Sequence, residues 1–194
     1  MGTLNVKPQG DPTTEVLGAG AIYVGGNADP ESWGDTPPTV FGTATKGGSV
    51  FNDNAEFRER TADSDYFPVK GARDLTFMRP QLTIQSLSIK AVDLVKAYGG
   101  LESVTGTLYN AMTRTLDLSS SYQENVWWIG RDRAGDDLII WLGNALGDGP
   151  ITITGAKDEE IVIPVIFTAH ADPATFDPDD SDTYPYKIYR EIAV

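Results

Sequence analysis

Residues 138–172 read LIIWLGNALGDGPITITGAKDEEIVIPVIFTAHAD. The stretch sets out a buried strand, an Asn-Ala break, a Gly-rich turn, a short Thr-rich strand, an acidic turn and a last apolar strand. Short apolar runs bounded by Gly, Pro and Asp fit strands better than helices. The final run, 161–167, is apolar on both faces and suits a central strand, yet Pro164 cannot donate to a ladder and favours an edge. An exposed apolar edge aggregates unless something covers it. A neighbouring subunit is the expected cover.

Upstream, Ala134-Gly135 turns Trp127-Trp128-Ile129 back onto Leu138-Ile139-Ile140. Adjacent strand residues point to opposite faces. One of Trp127 and Trp128 therefore belongs to the core. The other meets a helix or an arm, or lies on an intersubunit surface, where Trp is enriched.

Residues 41–72, FGTATKGGSVFNDNAEFRERTADSDYFPVKGA, read as a β-hairpin with a long polar tip. Its strands fall at 43–51 and 55–61, joined by Asn52-Asp53-Asn54, whose side chains favour turns. Arg58 and Arg60 share one face and Phe57 and Glu59 the other, so something besides water is expected to meet both. A strand follows over 75–87, with Pro80 making part of it an edge or bulge. Ala91, Leu94, Val95 and Tyr98 keep the spacing of one buried helix face, with Ser88 as N-cap and Gly99-Gly100 as the stop. Strands are expected near 19–24, 113–118, 125–131, 137–143, 150–154 and 160–170, and a last one at 186–190.

Eight or more short strands with one helix predict a mainly β fold, an antiparallel β-sandwich or partly open barrel with one flanking short α-helix. The 194 residues suit a single domain over 1–194. Three segments lack buried-type periodicity: an N-terminal arm at 1–17, a long loop at 25–39 and an acidic segment at 172–184. Each is expected to be mobile in a free subunit and to order on assembly, with Trp33 as an anchor and Tyr184 as a second costly residue to leave in water.

The net charge of −13 is placed unevenly: acids exceed bases in 1–40 and again from 121 onward, while 41–120 is balanced. Tight nucleic-acid binding needs a basic face, and an acidic balance of this size argues against it. No cysteine is present, so disulfides and thiolate metal sites are excluded. No run approaches a membrane span.

The ordered features Thr45-Lys46-Gly47-Gly48, Val69-Lys70-Gly71, Asn144-Ala145 and Ile163-Pro164-Val165-Ile166-Phe167 resemble those of the major tail proteins (tail tube subunits) of long non-contractile-tailed bacteriophages, the siphophages. The resemblance spans about 41–172. It implies a β-sandwich flanked by a helix, a homohexameric ring, rings stacked into a tube, and double-stranded DNA crossing the lumen without specific binding. It also implies tape measure, tail terminator and distal tail proteins as partners, no membrane, a place in the virion tail, and assembly in the bacterial host cytoplasm. Trp33, Arg58, Arg60, Trp127, Trp128, Pro164 and Tyr184 are the candidates for subunit and ring interfaces.

No constellation in the sequence suggests an enzyme or a cofactor. His170 is the single histidine and ends a strand, where a hydrogen-bonded ring is the ordinary role. The run Asp177-Pro178-Asp179-Asp180-Ser181-Asp182 departs from a calcium loop, lacking its glycine and its bidentate Glu. In Gly18-Ala19-Gly20, Tyr23 stands where a dinucleotide fingerprint needs its third glycine. Two alternatives stand beside the tail tube reading: an inner tube of a contractile tail or injection system, and a carbohydrate-binding β-sandwich module stacking sugars on exposed Trp and Tyr.

Overall fold

The computed structural model describes residues 20–34, 36–41, 49–59, 73–86, 91–109, 111–131, 135–152 and 162–191. The arm 1–17, the motifs at 45–48 and 69–71, Arg60 and Ser88 lie outside these residues. The chain is mainly β; among the described residues the strands pair antiparallel and one short α-helix is present. The strands are β1 (Ala21–Val24), β2 (Thr39–Phe41), β3 (Val50–Asn52), β4 (Glu56–Glu59), β5 (Arg73–Phe77), β6 (Gln81–Ser86), β7 (Leu101–Val104), β8 (Ala111–Arg114), β9 (Gln123–Arg131), β10 (Asp137–Gly147), β11 (Ile163–Thr168) and β12 (Tyr186–Arg190). Helix α1 spans Ala91–Ala97.

Eight strands form one folded-over sheet with the order β2-β1-β9-β10-β11-β6-β3, and β12 pairs beside β10. β10 organises both layers. One edge pairs with β9 from Asp137 to Ala145; the other pairs with β12 over Leu138–Leu142 and then with β11 at Leu146 and Gly147. The change of partner falls at Asn144, which takes a left-handed φ of 44°. Asn tolerates that region better than most residues. The Asn-Ala pair, read as a break, is thus a kink inside a continuous strand.

Alternation decides which side chains enter the core. Ile22, Val24, Val126, Trp128, Ile140 and Leu142 come from one layer, and Leu82, Ile84, Val165 and Phe167 from the other. Phe41 and Phe167 meet edge to face across it at 5.5 Å. Each fully buried side chain of this size contributes about 1.5–3 kcal/mol of transfer free energy. Helix α1 covers the open side, where Gly147 admits it: a Cβ there would overlap the carbonyl of Ala97. Gly99 N donates to Gly147 O at 2.5 Å.

β11 corrects the expectation placed on Pro164. β6 pairs with all of β11, and β10 meets its end, so its cover comes from within the chain. Asp148 N donates to Ile166 O, so the even-numbered residues of β11 turn their polar groups away from β6. On that side Pro164 loses no ladder bond, and its carbonyl accepts from the Tyr98 hydroxyl at 2.7 Å. No neighbour is required to resolve the proline.

Candidate functional site: two projecting ribbons and a groove

Trp127 and Trp128 do face opposite ways. Trp128 enters the main core, while Trp127 lies on the outer face with Tyr23, Ile129 and Trp33. Both are buried, Trp127 completely. Of the two alternatives for the outward ring, contact with an arm is what the fold adopts. The cover is the loop after β1. It carries Trp33, 8% exposed, edge-on to Trp127 at 4.8 Å.

That loop was expected to lack contacts in a free subunit, and it has them. Trp127 Nε1 donates to Gly25 O, Asn125 Nδ2 to Gly26 O and Trp33 Nε1 to Asn27 O. Burying an indole whose N–H finds a carbonyl offsets the cost of ordering the loop. Trp33, Trp127 and Trp128 are therefore held inside one chain, not presented as anchors.

The segment after β11 is likewise tied by its own side chains. Asp172, Asp177 and Asp180 accept from the backbone N–H groups of Ala174, Asp179 and Asp182. Such Asx turns use the carboxylates locally. Tyr184 donates to Pro178 O at 2.9 Å and packs on Phe176. His170 faces the Thr168 carbonyl through Nδ1 and meets Tyr122 edge-on.

What stays open lies elsewhere. β4 and β5 form a two-stranded ribbon that continues the β3–β6 hairpin beyond the sheet. Phe57 and Leu75 are paired across it, and with Phe77 they form an exposed apolar face. Arg73 lies over Phe57 at 5.1 Å. Arg58, on the other face, approaches Asp74 at 3.9 Å, an exposed pair of small energetic weight. β7 and β8 form a second ribbon. Near its turn Leu108 and Tyr109 are each 85% exposed, and Leu116 beyond it is fully exposed.

At the root of the first ribbon is a groove of about 580 Å³ lined by Leu75, Phe77, Pro80, Phe176, Pro178 and Tyr184. Of the candidate residues that the structure describes, Tyr184 lines this groove, while Arg58 lies on the other face of the ribbon. Reading the sequence missed Leu108, Tyr109 and the groove. Glu102 and Ser103 follow Leu101 without alternation, so β7 gave no strand signal.

Among the described residues, no three carboxylate or histidine groups converge as a metal site, and no helix is long and apolar enough to cross a membrane. No protein family matches this chain, and no curated protein does.

Proposed function

We propose that this chain is a structural virion protein, the tail tube subunit of a long non-contractile-tailed bacteriophage. Six copies close a ring, rings stack into a hollow tube, and genomic DNA passes through it during ejection. The observation that carries the reading is the pair of ribbons. A two-stranded ribbon is at best marginal alone in water, and these two expose Phe57, Leu75, Phe77, Leu108 and Tyr109 beyond a core already closed. Exposed apolar surface of this kind marks interaction sites.

The edges support the same reading. β2 and β3 end the strand path, and β12 flanks β10. Val40, Val50 and Ile188 on these strands are each more than half exposed. Closure of a ring removes such edges. A contractile-system inner tube would use the same features. The carbohydrate reading loses its Trp platforms, since three of the four Trp are buried and Trp141 is half-buried against Trp127.

Negative-stain electron microscopy and sedimentation of the purified protein test the proposal. Six-fold rings or stacked tubes are expected, with a nucleating tail-tip complex added if needed. A protein that stays monomeric at high concentration, and is missing from tail shafts of virions, would overturn it.

A further inference from the structure

The groove and the second ribbon are complementary surfaces on one chain. We propose that the β7–β8 ribbon of one copy seats Leu108 and Tyr109 in the groove at the root of the β4–β5 ribbon of a second copy. This rests on the self-assembly reading above and names the contact that performs it.

Size permits the fit. The groove of about 580 Å³ lies within the range of about 300–1,000 Å³ that takes a drug-sized molecule, which exceeds the needs of two side chains. Its wall is apolar and continuous with the exposed face of the first ribbon through Leu75 and Phe77. Leu108 and Tyr109 stand in solvent within their own chain, so neither is already used.

Charge selects the occupant. Two copies at −13 each repel, so a surface flanked by acids needs a partner surface that carries none. Asp172, Asp177, Asp179, Asp180 and Asp182 flank the groove in sequence and would reject an acidic insert. Residues 103–113, SVTGTLYNAMT, hold no charged side chain. Tyr109 adds a large amphipathic ring that carries a neutral donor at its tip. Within the turn, Gly106 allows the chain to fold back, since a Cβ there would strike the Tyr109 carbonyl. Inserted one way, the contact is heterologous and propagates into a ring or a filament, whereas reciprocal insertion would close a two-fold dimer.

The absence of cysteine makes the test direct. Full-length Thr107→Cys and Ala171→Cys variants, each with a different tag, are mixed and oxidised. Both positions are exposed; Thr107 precedes the inserted pair, and Ala171 lies in the groove wall, where a small thiol reports the arrival of the insert. A mixed disulfide about tenfold above that of a Thr107→Cys and Arg58→Cys mixture is expected, because cross-linking needs Cα atoms within about 7 Å. Adding Leu108→Asp and Tyr109→Asp to the Thr107→Cys chain should abolish it.

Microscopy of the same samples separates the two readings. Tubes without the mixed disulfide, or a disulfide indifferent to the Asp changes, overturn this docking and leave the tube proposal standing. The disulfide without rings or tubes keeps the docking and removes the tube. Neither product overturns both.

Discussion

Trp33 stands perpendicular to Trp127, with ring centroids 4.8 Å apart, and closes a loop over the outer face of the sheet. A loop rich in Gly, Pro and Asp becomes part of the fold through this contact, the carbonyl that each indole finds and the bond from Asn125 to Gly26 O. The Trp33→Ala change should therefore lower stability in the unassembled subunit, by about 3 kcal/mol, the lower end for truncating a buried Trp. The urea midpoint reads this, and an unchanged midpoint would return Trp33 to the list of intermolecular anchors.

Gly147 marks the closest approach of α1 to β10. Gly147→Ala should cost about 1–3 kcal/mol, the usual penalty for overpacking, because its neighbour is backbone and cannot swing away. Gly149→Ala is the control, since its Cβ would meet Ile166 at an ordinary 3.5 Å. Equal melting temperatures for the two variants would mean that the helix is not seated there.

Burial raises the pKa of Tyr98 above its usual 10.0, while the charge of Arg114 acts more weakly in the opposite direction. Tyr23, Tyr186 and Tyr189 are also raised, in each case chiefly by burial. A raised folded-state pKa gives stability that is complete below the unfolded value and is lost as pH rises through the folded one. Unfolding should therefore become easier above about pH 10. Tyr98→Phe should cost about 1 kcal/mol near neutrality, through the bond lost to Pro164, and flatten the alkaline limb. A parallel alkaline limb in the variant would assign the effect to the other tyrosines.

The charge balance makes a prediction about DNA. Subunits or tubes should show no saturable binding to duplex DNA at submicromolar protein and physiological salt, because acids exceed bases by thirteen. Fluorescence anisotropy of a labelled duplex measures it, and a salt-dependent isotherm in that range would contradict a lumen that lets DNA slide.

The elements legible in the sequence were those whose own side chains signal their environment. β9, β11 and β12 announced themselves as apolar or aromatic runs, and α1 as four residues on one face. Pro80 reads as an edge or bulge within one strand over 75–87, whereas 78–80 divides that stretch into β5 and β6. The failures share a physical origin: a distant segment decides the outcome. Asn144 reads as a break until β11 takes over where β12 stops. The Trp33 loop reads as free until Trp127 lies beneath it. Pro164 reads as an edge until the side of β11 that faces away from β6 is known. Leu108 and Tyr109 sit among polar residues, and their exposure follows from where β7 and β8 project.

Because β10 carries partners on both edges, the order of synthesis constrains when the fold can exist. A nascent chain that has emerged only through residue 120 holds β1, β2, β3 and β6 without the strand that joins their layers. Even a chain complete through β11 leaves Leu138–Leu142 with a bare edge until Tyr186–Arg190 arrive. Pairings this distant in sequence are slow to close. The sandwich is thus finished only after residue 190 clears the ribosome, and until then the half-covered central strand offers a bare edge to wrong pairing.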